Sequence, residues 1–257
     1  MISTVHLVYF SPTGTTRKIS EAIVQGLGAE TIVRCDLTRS ACESVLKDGV
    51  AVIGIPVYVG RVPELCLNRL QAITAKRIPA VLVAVYGNRE FEDALVELQD
   101  LTVDKGFNVI AAGAFIGEHS FSTPAHPIAA GRPHAEDLKG AVEFGKQVAA
   151  KIERGDFRPP EITGNRPYKE RRHFEVMTPQ TDSERCTLCE RCAAACPAGA
   201  IAVTESVATK ADHCILCCAC VKACEAKARF FTHPWVEKVR LMLQENCSTP
   251  KTPEIFI

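Results

Sequence analysis

Eight cysteines near the C-terminus fall into two copies of one spacing. "CTLCERCAAACPAGAI" (residues 186–201) and "CILCCACVKACEAKAR" (residues 214–229) both read C-x2-C-x2-C-x3-C. They align at an offset of 28, which also places Leu188 on Leu216 and Ala195 on Ala223. A tight loop with a thiolate at every third position can wrap three corners of an iron–sulfur cubane, while the fourth cysteine points away to a second cluster. The spacing therefore predicts Cys186, Cys189, Cys192 and Cys224 on one [4Fe–4S] centre. Cys214, Cys217, Cys220 and Cys196 fall on the other. Zinc is the rival metal, but its sites use two C-x2-4-C pairs across a longer loop, or include histidine. A third cysteine at x2 followed by x3-C has no place in one tetrahedral site. The copies differ after their last cysteine, with Pro197 in the first and Glu225 in the second. Cys218 lies between ligands and reads as a small buried residue beside a cluster. Cys35, Cys42, Cys66 and Cys247 read as packing residues.

A different chemistry is suggested by "LVYFSPTGTTRKIS" (residues 7–20). Ser11, Thr13, Thr15 and Thr16 surround Gly14 between an apolar run and an amphipathic one. Free N–H groups at a helix N-terminus, with hydroxyls and a glycine, can cradle a phosphate without a lysine. The same residues suit an ordinary Ser/Thr-rich N-cap. Neither the Walker spacing nor G-x-G-x-x-G is present, so a dinucleotide is not expected.

The elements that must position these groups alternate through the first 155 residues. Strands are predicted over Ile2–Phe10, Thr31–Asp36, Val50–Pro56, Ala80–Tyr86 and Phe107–Ile116, all lacking clean polar alternation, as for strands buried on both faces. Helical spacing runs through Thr16–Leu27, Pro63–Thr74, Glu90–Lys105 and Pro133–Arg154, with a short helix expected around Ser44–Leu46. This alternation predicts an α/β fold with a parallel sheet. Residues 156–181 hold four prolines and no periodicity, and read as a linker or an irregular segment draped over a neighbour; the basic run from Arg158 to Arg172 suggests a local patch, with a solvated connector favoured over a docking site. Helical spacing returns after Phe231.

The totals exclude several classes. Thirty basic and thirty acidic residues in 257 leave no net charge to attract nucleic acid or membrane. No apolar run reaches the ~18 residues of a membrane span. The start "MISTVHLVYFSPTG" reads as a buried strand and not a signal peptide. Thirteen cysteines are an odd number, which argues against a complete disulfide framework and for thiols in a reducing cytoplasm.

The paired cysteine run resembles the bacterial two-cluster ferredoxins, and Ser-x-Thr-Gly-x-Thr after the first strand resembles the FMN-phosphate loop of flavodoxins. Together the chain resembles the flavodoxin–ferredoxin fusion proteins of anaerobic bacteria and archaea. The resemblance implies a flavodoxin-like, doubly wound, parallel five-stranded sheet of order 2-1-3-4-5, with a second, small α+β ferredoxin-like domain. Its domains would be 1–155 (flavodoxin-like), 156–181 (linker), 182–232 (two-cluster ferredoxin-like) and 233–257 (helical tail). FMN would hold its phosphate at Ser11, Thr13, Gly14, Thr15 and Thr16. Its ring would lie between Pro56, Tyr58, Val59, Gly60 and Arg61 on one loop and Tyr86, Gly87, Asn88, Arg89 and Phe91 on another. Tyr58 and Phe91 would face the ring, with Gly60 near N5. Glu118, His119 and Ser120 read as a surface loop or the border of that pocket. The implied function is electron transfer between two [4Fe–4S] clusters, FMN and external redox proteins. The alternative is an FMN-dependent oxidoreductase reducing a quinone, disulfide or oxygen with electrons fed through the clusters. With no triad or paired carboxylates to assign as catalytic, a carrier is favoured over a substrate-specific enzyme.

Overall fold

Apolar runs too short and too β-branched for helices pair edge to edge and bury both faces beneath amphipathic helices. In the computed structural model, which describes residues 2–172 and 174–257, the chain runs β1 (Thr4–Tyr9), α1 (Thr15–Leu27), β2 (Thr31–Asp36), β3 (Ser44–Leu46), β4 (Val50–Pro56), α2 (Glu64–Leu70), β5 (Ile73–Ala75), β6 (Pro79–Tyr86), α3 (Ala94–Asp104), β7 (Asn108–Ile116) and α4 (Ala135–Glu153). The cysteine-rich part adds β8 (Gln180–Thr181), α5 (Arg191–Ala195), β9 (Ile201–Val203), β10 (Val207–Thr209), α6 (Ala219–Lys222) and β11 (Arg229–Phe230). The chain closes with α7 (Pro234–Asn246) and β12 (Glu254–Phe256).

The main sheet has the order β12-β7-β6-β4-β1-β2. Its five parallel strands therefore lie 2-1-3-4-5 in chain order, the flavodoxin-like arrangement the resemblance implies. A sixth strand was not expected: β12 pairs antiparallel with β7, Ile255 opposite Gly113. The C-terminal tail is thus a helix followed by a strand that returns to cover a sheet edge which would otherwise offer unpaired backbone groups. The opposite edge, β2, exposes Thr31–Arg34, so the expectation of burial on both faces fails there because no helix covers an outermost strand fully. Ser44–Leu46 is no helix but a strand pairing parallel with β5, which also ends α2 at Leu70, earlier than its periodicity suggests.

The sheet divides two cores. One joins α1 and α4 to it through Ile19, Ile23, Phe144 and Val148. These helices cross closely because a Cβ on Gly26 would sit 2.0 Å from the Val142 carbonyl oxygen, so glycine is required. The other core holds Leu70, Leu95, Leu98 and Phe91 under α2 and α3.

Residues 156–172 do not form a free connector. Their basic run lies along the acidic stripe of α3 and the turn before it. Asp93 accepts from the Asn165 backbone N (2.8 Å), its side-chain Nδ2 (2.9 Å) and Lys169 N (2.7 Å). Asp100 pairs with Arg166, and Glu97 with Arg61 and Arg171. Positions 93, 97 and 100 are one helical face, so segment and stripe neutralise each other.

Candidate functional site

The two cysteine copies fold alike. Leu188 and Leu216 are left-handed (φ 51 and 56°), as are Glu190 and Cys218 (φ 60 and 56°), each pair 28 residues apart. Alternating left- and right-handed backbone turns successive N–H groups toward one concave side, which suits an anionic group. Cys186, Cys189, Cys192 and Cys224 line one pocket. Cys196, Cys214, Cys217 and Cys220 line a second, beside Cys218. The fourth cysteine of each copy thus lies with the first three of the other. Among the described residues, no group of three or more His, Cys, Asp or Glu is arranged as for a single metal ion.

The two pockets differ in exposure. Burial pushes the Cys217 thiol up to about 12, and Cys214 and Cys220 upward as well. In the first pocket Cys189 is exposed, and the Arg191 backbone N–H holds its thiol below the usual value. A buried thiol that keeps its proton must release it to bind metal, so loading is linked to pH.

The second cysteine pocket abuts a cavity of about 640 Å³. Its walls include Tyr58 and Val59 from the loop after β4, Arg89 and Glu92 from the loop after β6, and His119 and Phe121 from the loop after β7. Cys214, Ile215 and Leu216 form a wall from the second cysteine copy, and Phe174 and Trp235 another. Tyr58 lines the cavity, and burial first, then Cys217, Cys218, Cys66 and Cys214, push its phenol far above the usual value. The turn behind it is tight. Tyr58 and Arg61 exchange backbone hydrogen bonds of 3.0 and 3.1 Å, with Val59 and Gly60 at φ 55 and 77°. Positive φ at both central residues defines the hairpin turn that glycine and asparagine favour. A Cβ at Gly60 would also strike the Glu92 carboxylate (1.8 Å from Oε2).

His119 is held as a neutral ring. Its Nδ1 accepts from Phe121 N at 3.0 Å. Burial, followed by Arg89, Lys222 and Arg240, lowers its pKa to about 4.

The remaining expected flavin residues divide. Arg89 lines the cavity, paired with Glu92. Phe91, expected against the ring, is instead in the core, packed against Tyr86 and Phe256. Asn88 is taken by the tail, donating to the carbonyls of Cys247 (2.6 Å) and Thr249 (2.9 Å) and accepting from Lys251 N (2.9 Å). Arg61 is tied to Glu97 and lies over Tyr168. Pro56 and Tyr86 are buried strand-end residues, and Gly87 packs against the His119 ring. The returning C-terminal strand accounts for the misplacement of Phe91 and Asn88. Phe174 and Trp235 were missed because they lie outside the expected flavin domain. The basic run through Lys169 and Arg172 was the available signal for the cavity's polar wall.

Ser11, Thr13, Gly14, Thr15 and Thr16 lie together at the start of α1. Gly14 is the N-cap (φ 85°) and has no side chain to cap the helix, whose first turn carries no acid. Thr16 Oγ1 is buried without a partner. Ser11 N donates to Thr38 Oγ1 at 2.7 Å and Ser11 Oγ accepts from Arg17 N at 3.0 Å. The loop does not line the 640 Å³ cavity, but Thr15 lies against Gly117, two residues before His119. The loop after β2 links this region to the cysteine-rich part. Arg69 donates to the carbonyls of Leu37, Thr38 and Pro197, and Arg39 to that of Ala194. Cys35 near the end of β2 and Cys42 in that loop are disulfide-bonded, which corrects their reading as separate packing residues. Two thiols seven positions apart meet because the chain folds back after the edge strand.

Residues 179–202 match the family described as a 4Fe-4S binding domain. No curated protein matches the chain. Similar solved structures include a flavodoxin from the domain Archaea (14% identity, 58% of this chain and 99% of that one, TM-score 0.36). Another is the flavodoxin of Streptococcus pneumonia TIGR4 (16%, 58% and 99%, 0.41). A third is a WrbA-like flavodoxin from Agrobacterium tumefaciens (16%, 59% and 98%, 0.39). No helix among the described residues is long and apolar enough to cross a membrane. With its parallel strands in the order 2-1-3-4-5 and a 4Fe-4S binding domain behind them, the chain joins a flavodoxin-like fold to a ferredoxin-type one, the composition of an electron-transfer protein.

Proposed function

We propose that the chain relays electrons between two [4Fe–4S] clusters and one FMN, and exchanges them with an external one-electron redox protein. The observation that carries this reading is the shared wall. The cavity bounded by the loops after β4, β6 and β7 is closed on one side by Cys214–Leu216, so a flavin there would adjoin the second cysteine set. When bound, the clusters pass single electrons and the flavin accepts one or two.

The chain's own residues supply position and environment. Each set of four cysteines would hold one cluster. The glycine-led start of α1, with Ser11, Thr13, Gly14, Thr15 and Thr16, would hold the FMN phosphate, an arrangement its orphaned Thr16 hydroxyl fits. Tyr58 would separate ring from cluster as a neutral aromatic spacer. Domain limits of 1–155 and 182–232, joined by the segment lying on α3, accompany this reading. The exposed Leu188 and Cys189 favour the first cluster as the point where a partner delivers electrons.

Anaerobic purification with metal and flavin analysis, followed by stepwise reduction under visible absorbance and EPR, tests it. About eight irons and one FMN per chain, with interacting signals from two reduced clusters, are expected. One or two zincs and no flavin would overturn the reading.

A further inference from the structure

At the last aligned position of the two copies the first carries Ile201 and the second Arg229. Arg229 is only 4% exposed. Its Nη1 donates to Thr181 Oγ1 at 2.7 Å, and its Nη2 to Thr209 Oγ1 at 3.1 Å. Nη2 also lies 3.7 Å from Cys220 Sγ, and Nε is buried with no partner. Its backbone N donates to Cys224 Sγ at 3.4 Å.

These contacts span both sites. Arg229 lines the pocket of Cys186, Cys189, Cys192 and Cys224, while Cys220, which its guanidinium approaches, belongs to the other. Among the described residues its side-chain partners are two neutral hydroxyls and one sulfur, with no carboxylate. A guanidinium keeps its charge in proteins, and burying one without a counter-charge is unfavourable. The anions that would balance it are those the eight thiolates and their clusters bring.

We propose that Arg229 is a shared counter-charge for the two cluster sites, raising the reduction potential of both. This rests on the two-cluster reading. Adding an electron to either cluster makes it more negative, and a fixed positive charge in a low-dielectric interior favours that state. The threonine hydroxyls orient the fork without cancelling its charge, and the unpaired Nε leaves part of the guanidinium free to face the clusters.

The test is an EPR-monitored potentiometric titration of the full-length, iron-loaded protein with Arg229→Gln and Arg229→Lys. Glutamine removes the charge and keeps a planar polar group; lysine keeps the charge and loses the fork. Glutamine is expected to lower the reduced-to-oxidised ratio of both clusters about tenfold at the wild-type midpoint, about 59 mV for one electron. Lysine should remain near wild type, and the flavin should not move. Wild-type midpoints in an Arg229→Gln protein with full iron content would overturn the proposal. So would equal falls in both variants, which would mean that the fork's geometry and not its charge matters. Should the glutamine variant fail to hold iron, Arg229→Met, which also removes the charge, decides: a tenfold fall at both clusters upholds the proposal and wild-type midpoints reject it. A wild-type protein with one cluster or none would instead defeat the two-cluster reading, an outcome separate from two clusters indifferent to Arg229.

Discussion

His119 shows how one side chain's surroundings determine its state. Its Nδ1 accepts from the Phe121 backbone, which requires that nitrogen to be unprotonated. Burial, with Arg89, Lys222 and Arg240 facing it, brings the pKa from 6.5 to about 4; Glu118 beside it is already paired with Lys222. Between those two values the unfolded chain binds the proton and the folded chain does not. Folding therefore becomes less favourable as pH falls through this window, by up to about 3 kcal/mol over its full width. Well above pH 6.5 the ring is neutral in both states and its contribution no longer depends on pH. Thermal unfolding midpoints of wild type and His119→Gln at pH 7, 6 and 5 provide the check. The wild-type midpoint is expected to drop more steeply, and parallel slopes would show that His119 is free to protonate in the fold. At pH 7 the neutral ring therefore adds no charge to the cavity wall.

At the scale of elements, the segment after α4 is as integral as any helix. Asp93 is fully buried, and burial alone would raise its pKa. Hydrogen bonds from Lys169 and Asn165 outweigh that and hold it below the usual carboxylate range. Asp93→Ala leaves those donors without their acceptor and is expected to cost about 3 kcal/mol. Urea unfolding would measure the loss, and limited proteolysis should find residues 157–172 newly cleavable. A wild-type midpoint together with protease resistance would show that the segment is held by its other pairs. The sequence displayed both halves of this contact, a basic run at 158–172 and acids at 93, 97 and 100. A basic run usually faces water, however, and only the fold brings the two charges together. The cysteine elements were far more legible, because a cluster imposes its own spacing on the chain and leaves neighbouring packing little influence. The parallel strands were legible for a similar reason, their apolar runs having one stable arrangement under amphipathic helices. The flavin loops were not: Phe91 and Asn88 have suitable chemistry and position, but they are engaged by Phe256 and by the backbone of residues 247–251. A contact across ~160 residues leaves no local periodicity to read.

The whole molecule adds the question of whether its two parts act as one body. Arg240 of α7 is 6% exposed, donating from Nε to the Phe121 carbonyl (3.0 Å) and from Nη1 to that of Phe231 (2.9 Å). It thereby ties the loop after β7 to the end of the cysteine-rich part. Lys222 of α6 reaches the Ser122 carbonyl at 3.1 Å and pairs with Glu118. Phe121, Phe231, Cys218 and Val236 fill the seam between them. Arg69 and Arg39 make the same kind of bridge at the other end of the interface. Charged donors aimed at backbone carbonyls fix orientation more tightly than apolar contact alone, so the cavity's walls should keep their separation without a partner bound. Electron transfer from cluster to flavin is therefore expected to follow first-order kinetics that do not change on dilution. Arg240→Met leaves the Phe121 and Phe231 carbonyls without this donor while lying outside both sets of four cysteines and residues 11–16. It should retain iron and flavin yet transfer electrons about tenfold more slowly, because the protein's contribution is to hold the reacting groups in place. Flash reduction followed at cluster and flavin wavelengths would give both rates. A variant as fast as wild type would mean that the apolar seam, and not the arginine, holds the two parts together. A rate that falls on dilution in the wild type would mean that the electrons pass between molecules.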